Sequence, residues 1–266
     1  MTGTPGSAPA FRIEIDGRPA TADDLARFVM VSSYGHFTAM QVRGRAVRGL
    51  GFHVERLDGA TRELFGTGLD GGRVLDAVRH ALGDDVDASV RVNVYRPDGA
   101  DDVSLLVSVR GPGAAPSGAQ SLMTVDYQRP VAQVKHVGGF AQGYFGNAAR
   151  EAGFDEALLV GPGGVIAEGA ITNVGFADGD TVVWPDAPAL HGITMRVLQR
   201  EMDAAGVPWR HQRVTVADVP GFDGAFACNS RGIAPIGRLD EQLLPTGAEL
   251  VKRVIGLFEA APRDAL

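Results

Sequence analysis

The sequence predicts an α+β protein of two domains, with a small α/β N-terminal domain and a larger, β-rich C-terminal one. Three observations carry this. Most apolar runs have strand length and end in Gly, Asp or Pro turn signals, without the regular β-α alternation of a doubly wound sheet. A few longer stretches carry helical periodicity instead. The segment Gly111-Pro112-Gly113-Ala114-Ala115-Pro116-Ser117-Gly118 lacks any large apolar side chain and cannot build a packed element. It places a small domain at 10–110, a linker at 111–120 and a large domain at 121–266.

Each element follows in order. Phe11 to Ile15 alternates apolar and polar residues and runs into Asp16-Gly17, a strand and a turn. Phe37 to Val42 and Ala46 to Leu50 flank Arg43-Gly44-Arg45 as a second hairpin. Gly51 to Leu64 reads as a helix with Phe52, Leu57 and Leu64 inward. Val74 to Leu82 reads as another, with Leu75, Val78 and Leu82 on one face. Strands are expected at Ser89 to Tyr95 and Val103 to Val109. Beyond the linker come a strand at Ser121 to Tyr127 and a helix at Gly139 to Ala152. Short strands follow at Glu156 to Val160, Val165 to Glu168, Thr172 to Ala177 and Thr181 to Trp184. Gly161-Pro162-Gly163-Gly164 and Asp178-Gly179-Asp180 separate them as turns. A helix at Ile193 to Ala205 precedes strands at Val214 to Val216, Ala225 to Ala227 and Ile233 to Ile236. The last helix spans Ala248 to Ala260, with an apolar stripe of Leu250, Val251, Val254, Ile255 and Phe258.

Composition removes several function classes. A net charge of −7 disfavours a nucleic-acid or anionic-membrane surface. The single cysteine, Cys228, excludes an intramolecular disulfide and a cysteine-rich metal site. No apolar run reaches the roughly 18 residues of a membrane span. Residues Met1 to Pro9 lack the basic start and apolar core of a signal peptide and read as a disordered tail. A cytoplasmic enzyme is the expectation. No Gly-x-Ser-x-Gly elbow and no Gly-x-Gly-x-x-Gly fingerprint occurs, and no histidines stand at the spacing of a zinc helix. The cluster at 161–164 lacks the Lys-Ser/Thr and the helix of a phosphate loop.

Positive charge is supplied almost entirely by arginine; the only lysines are Lys135 and Lys252. Lys252 falls in the amphipathic C-terminal helix. Lys135 follows Arg129-Pro130-Val131-Ala132-Gln133-Val134 and precedes Gly138-Gly139. Unlike an arginine, a lysine can shed its proton and attack a carbonyl, so Lys135 is either a Schiff-base residue or a surface lysine. Three further stretches each admit two readings. Ala189-Leu190-His191-Gly192-Ile193-Thr194 enters a helix whose first N–H groups suit a phosphate, or is a plain helix start. Cys228-Asn229-Ser230-Arg231-Gly232 is a phosphate cradle or a turn. Glu168, in an apolar strand, faces solvent or pairs with a buried cation. Cys228 itself reads as packing rather than as a nucleophile.

In combination these stretches resemble the class IV (fold type IV) pyridoxal phosphate enzymes, which include the branched-chain and D-amino acid aminotransferases and the aminodeoxychorismate lyases. Glu156-Ala157-Leu158-Leu159-Val160 through Glu168-Gly169-Ala170-Ile171-Thr172-Asn173 is similar to the family's "deall…dG.v.Eg..sN" signature. Leu190-His191-Gly192-Ile193-Thr194 is similar to "LpGiT", Phe52-His53-Val54-Glu55-Arg56-Leu57 to "eHleRL", and Ala227-Cys228-Asn229-Ser230 to "lTnS". The resemblance implies that the large domain binds pyridoxal 5′-phosphate. Lys135 would form the internal aldimine and later move a proton between the substrate α-carbon and the cofactor. Glu168 would pair with the pyridine nitrogen, and Arg56, Ile193, Thr194, Asn229 and Ser230 would hold the phosphate. It also implies a homodimer.

Some positions depart from the family's patterns. Phe140 stands where a tyrosine is common, the small-domain strand reads Phe37-Thr38-Ala39-Met40-Gln41-Val42, and Met195 replaces a usual arginine. The strand from Arg91 lacks the familiar "RG" pair. These leave the cofactor chemistry intact and the substrate open. Tyr34, Thr38, Tyr95, Arg96 and Arg110 from the small domain, and Arg231 from the large one, are candidates to line its pocket. The leading expectation is an aminotransferase exchanging an amino group between a small amino acid or amine and a 2-oxo acid. The alternatives are an aminodeoxychorismate lyase releasing pyruvate and 4-aminobenzoate, and a non-catalytic relative acting as a binding or scaffold protein.

Overall fold

A computed structural model describes residues 11–31 and 33–266. The expected disordered tail at Met1 to Pro9 lies outside the described residues. The chain divides into two compact units, residues 1–114, 135–138 and 263–266 in the first and 115–134 and 139–262 in the second.

The first unit is a five-stranded sheet with helices. Its strands are β1 (Arg12–Ile15), β2 (Arg18–Pro19), β3 (His36–Val42), β5 (Ala88–Tyr95) and β6 (Ser104–Arg110), in the order β2-β1-β6-β5-β3. Asp16 and Gly17, at φ of 48° and 78°, make the tight β1–β2 turn expected from Asp-Gly. β4 (Ala46–Val47) does not form a full hairpin with β3. Only an isolated bridge joins Arg43 and Ala46, and β4 pairs instead with Asp264–Ala265. Leu50, expected at the strand's end, already begins helix α2 (Leu50–Phe65).

Helix α1 (Ala22–Val31) was not foreseen. It has no fully buried residue, yet Leu25, Phe28 and Val31 pack on Ile15, Tyr95 and Leu106. Helix α3 (Gly71–Leu82) starts at Asp70, whose side chain accepts the Arg73 N–H at 2.7 Å, and buries Val74, Ala77, Val78, Ala81 and Leu82. These join Leu57 of α2 and the inward residues of β3, β5 and β6 in one core. Strict alternation in β3 (His36, Thr38, Met40 and Val42 buried, the residues between them half-buried) sends Phe37, Ala39 and Gln41 to the opposite face.

The second unit is a nine-stranded sheet, ordered β12-β11-β10-β13-β14-β7-β8-β9 with β15 (Gln242–Leu243) paired to β14. The other strands are β7 (Gln120–Asp126), β8 (Glu156–Gly161), β9 (Val165–Gly169), β10 (Asn173–Asp178), β11 (Thr181–Pro185), β12 (Trp209–Gln212), β13 (Gly224–Asn229) and β14 (Gly232–Leu239). β9 returns against β10 and β11, so the sheet curls around Leu122, Leu158, Ile166, Val174, Phe176 and Ile236. The strand expected at Val214 to Val216 is a short 3-10 turn beginning at Val216 and capped by Thr215 and Asp218; the strand lies earlier, at β12. Helices α5 (Ile193–Ala204) and α6 (Glu249–Ala260) cover a second core containing Trp184, Phe226 and Cys228, and α4 (Phe140–Glu151) covers a third around Ala149 and Ala157. No described helix is long and apolar enough to cross a membrane.

Candidate active site

In the second unit the polar residues converge on the end of β9. Glu168 is 5 % exposed, and the solvent-face reading fails: its Oε1 accepts from Arg129 Nη1 at 3.0 Å, and Arg129 is buried too. A carboxylate in such surroundings is tolerable only when a cation compensates it. Its Oε2 accepts the Leu190 N–H at 3.2 Å. Arg129 also donates to the carbonyls of Ala132 (2.9 Å) and Val134 (2.7 Å). That turn holds Val131 at φ 47°, strained for a β-branched residue, and Arg129 fastens it. Arg129 is the main residue that sequence reasoning missed. Only its proximity to Pro130 and Lys135 could have drawn attention to it.

The loop before α5 is pinned by Asn173, which donates to Leu190 O at 2.7 Å and accepts the Gly192 N–H at 3.1 Å. A Cβ at Gly192 would strike the Asn173 amide, so glycine is required there. Gly192 is extended, and no side chain caps α5. Its first N–H groups, on Ile193 and Thr194, therefore point out of the helix start without intrahelical acceptors. The Thr194 hydroxyl donates to Asn229 O at 2.7 Å, which leaves the backbone N–H as that residue's donor. Asn229 Oδ1 accepts the Arg231 N–H at 2.9 Å and closes the turn in which Ser230 is exposed.

Beneath the 169–172 loop lies Glu156, which accepts from Ile171 N–H (2.6 Å) and Thr172 Oγ1 (3.1 Å). Burial pushes its carboxyl up to about 7, opposed by those hydrogen bonds and by Arg231. Cys228 is buried and its thiol is pushed up to about 12 by desolvation, which makes it packing and not a nucleophile. A cavity of about 330 Å³ opens beside Asn173, Trp184, Leu190 and His191, on the Ala167 side of β9. Neighbouring strand residues point to opposite faces, so this cavity is not the space that Glu168 addresses.

In the first unit, Lys135 is half-buried and held in register with β3. Its carbonyl accepts the Phe37 N–H at 2.9 Å, and Val137 N–H reaches Gly35 O at 3.0 Å. The Lys135 Nζ lies 5.0 Å from the Phe37 ring centre. Arg56 is half-buried on α2. Thr38 is fully buried with its hydroxyl 2.6 Å from His53 Nδ1. Burial, reinforced by Arg56, pushes His53 down to about 3. Tyr34 is exposed and donates to Leu64 O. Tyr95 is buried edge-on to Phe28, and Arg96 donates to Phe65 O at 2.9 Å. Thr38, Tyr95 and Arg96 are thus engaged in packing the unit. Arg110 and, in the second unit, Arg231 are exposed.

The donor set fits a phosphorylated, ring-nitrogen cofactor. Uncapped helix N–H groups and a free-facing serine hydroxyl suit a phosphate, and a buried, arginine-braced carboxylate suits a protonated heterocyclic nitrogen. Among the described residues no cluster of histidines, cysteines and carboxylates could hold a metal.

Comparison with known proteins agrees with this geometry. The family described as Amino-transferase class IV matches residues 35–239. No curated protein matches the sequence. Among solved structures, the chain is similar to a hypothetical aminotransferase from Mycobacterium tuberculosis in its apo form, at 22% identity and TM-score 0.82, covering 95% of this chain and 98% of that one. It is similar to the branched-chain aminotransferase of Thermoproteus uzoniensis at 20% identity and TM-score 0.82, covering 93% of each chain. A putative 4-amino-4-deoxychorismate lyase from Legionella pneumophila shares the fold at 17% identity and TM-score 0.80, with 89% and 93% covered. The family match spans most of the chain, from the strand that carries Phe37 to the end of β14, and the chain belongs to the class IV aminotransferases.

Proposed function

We propose that this chain is a pyridoxal 5′-phosphate-dependent aminotransferase, moving an amino group between an amino acid or amine and a 2-oxo acid, with Lys135 as its reactive amine. The observation that carries the reading is the buried Glu168–Arg129 pair at the α5 start, a charge arrangement that a purely structural strand end does not need. When bound, the cofactor would supply an electron sink for the bonds at the substrate α-carbon. The remaining tasks fall to the protein. Glu168 would keep a ring nitrogen protonated, braced by Arg129. The N–H groups of Ile193 and Thr194, the Ser230 hydroxyl and the Arg56 guanidinium would hold a phosphate, with Asn229 shaping the turn. Lys135 would bind the aldehyde carbon and, once released, carry the proton at the α-carbon. Exposed Phe140 and Tyr144 on α4 support a homodimer.

The test is spectroscopic and then chemical. Protein reconstituted with the cofactor is expected to absorb at roughly 410–430 nm, and Lys135→Ala to lose that band. A colourless protein that never takes up cofactor would favour a binding or scaffold role. Amino transfer from D- or L-amino acids to 2-oxoglutarate is the expected reaction. Steady pyruvate release from aminodeoxychorismate without an acceptor would replace it by the lyase.

A further inference from the structure

Glu168 and Asn173 grip one stretch of chain from two sides. Glu168 Oε2 accepts the Leu190 N–H at 3.2 Å, while Asn173 donates to Leu190 O at 2.7 Å and accepts the Gly192 N–H at 3.1 Å. Only residues 169–172 separate the two side chains. The shape of that short loop therefore sets how the grips stand to each other. Whatever fixes it fixes Glu168 and the uncapped start of α5 together.

The loop has few ties of its own. Gly169 N–H reaches Thr172 O at 2.9 Å, and Ala170 N–H reaches Ala157 O on β8 at 2.9 Å. The side chain of Ile171 is exposed, so packing does little to hold it. The remaining polar groups go to Glu156, at the start of β8: Ile171 N–H at 2.6 Å and Thr172 Oγ1 at 3.1 Å, both on Oε1. Gly169 shows how closely the loop is built around that carboxyl. Its φ is not positive, so its backbone does not call for glycine. A Cβ there would instead collide with Thr172 Oγ1 and stand 2.6 Å from Glu156 Oε1. Charge is not what the loop needs. Burial pushes the Glu156 carboxyl up to about 7, against its two hydrogen bonds and Arg231, and the neutral form offers the same acceptor oxygen.

We infer that Glu156 is a positioning residue for the cofactor: by holding the 169–172 loop it sets Glu168 and Asn173 against the 190–192 stretch, and with them the affinity for the ring and its phosphate. This rests on the reading of Glu168 as the partner of the cofactor's ring nitrogen. Glu156 works by reach, through one oxygen placed at the right distance, and it acts through residues of the loop.

The test measures the affinity of the full chain for pyridoxal 5′-phosphate by quenching of tryptophan fluorescence, with the visible band read on the same samples. Glu156→Ala should bind at least about tenfold more weakly than wild type, the scale of two lost hydrogen bonds. Glu156→Gln keeps an oxygen at the same reach and should stay within about twofold of wild type. Glu156→Asp keeps the charge but is one carbon shorter, and should lose most of the affinity that Ala loses. Gly169→Ala crowds the carboxyl from the loop side and should also weaken binding; should Glu156→Ala not fold, this variant carries the test. In a Glu168→Gln background, Glu156→Ala should cost no more than about threefold, because one of the groups it positions is already disabled. Wild-type affinity in both Glu156→Ala and Gly169→Ala overturns the inference. So does rescue by Asp in place of Gln, or a Glu156→Ala loss as large in the Glu168→Gln background as in wild type. Glu168→Gln binding as tightly as wild type sinks the reading of Glu168 and the inference with it. A Glu168→Gln loss beside an unaffected Glu156→Ala sinks the inference alone.

Discussion

Glu156 offers a measurement in which pH acts on one half-buried group beside the site. Its carboxyl lies at about 7 in the folded chain against an ordinary 4.5, and desolvation is the first cause. The sign follows from proton counting. Between those two values the folded state keeps a proton that the unfolded state has released, so stability falls as pH rises from about 4.5 and levels off above about 7. The gap corresponds to roughly 3 kcal/mol at about 1.4 kcal/mol per pH unit. Glu156→Gln removes the titration while keeping an oxygen to accept from Ile171 N–H and Thr172 Oγ1. The stability of wild type relative to this variant should therefore drop by roughly 3 kcal/mol between pH 4.5 and pH 8. Both tryptophans, Trp184 and Trp209, belong to the same unit as Glu156, so urea unfolding followed by their fluorescence reports on the right part of the chain. A wild-type-to-variant gap that stays flat to within about 0.5 kcal/mol across that range would refute the argument. A gap that moves the other way would mean that ionised Glu156 gains more from Arg231 than burial costs it.

Other outcomes follow from the same reasoning. His53, pushed down to about 3 by burial, must charge on unfolding, so its contribution is intact above about pH 6.5 and is lost as pH falls towards 3. At pH 5 that is about 2 kcal/mol, and the stability gap between wild type and His53→Gln should shrink by that amount from pH 7, read by hydrogen exchange of the β3 and β5 amides. Asp70→Ala removes the α3 cap and should cost about 1 kcal/mol in a denaturant titration, with Asp70→Asn near neutral. Cys228 should stay silent to a thiol reagent in the native protein and react on unfolding; reaction at the native rate of an exposed thiol would contradict its burial.

Much of the architecture was legible because strands and helices announce their period. β3, β5, β7 to β11 and helices α2 to α6 lie where alternation and apolar stripes placed them, to within a few residues. The misses have physical causes. α1 buries no residue fully, so its sequence carries little pattern beyond a few partly buried side chains. The run Val214 to Val216 has strand-like composition, but Thr215 and Asp218 hydrogen-bond reciprocally as a cap and divert the backbone into a 3-10 turn. At the site, Glu168 was legible as an anomaly, a charge in an apolar strand, yet its partner was not. Arg129 is 39 positions away, and a pairing at that distance has no periodicity to betray it.

The bonds among the signature residues explain why the site was recognisable while its substrate was not. Glu156 holds the 169–172 loop, Asn173 holds the 190–192 loop, Arg129 holds the 131–134 turn and Glu168 together, and Thr194 ties the α5 start to Asn229. Each is a buried or half-buried side chain satisfying a loop that would otherwise leave backbone groups unpaired. Gly169 and Gly192 complete the set, because a Cβ at either would collide with Glu156 or Asn173. A signature of this kind is first a recipe for fixing four loops around one carboxylate. Substrate contacts obey no such constraint. The side chains of Arg110 and Arg231, two of the substrate candidates, are exposed and fix no loop, so nothing in the packing singles them out.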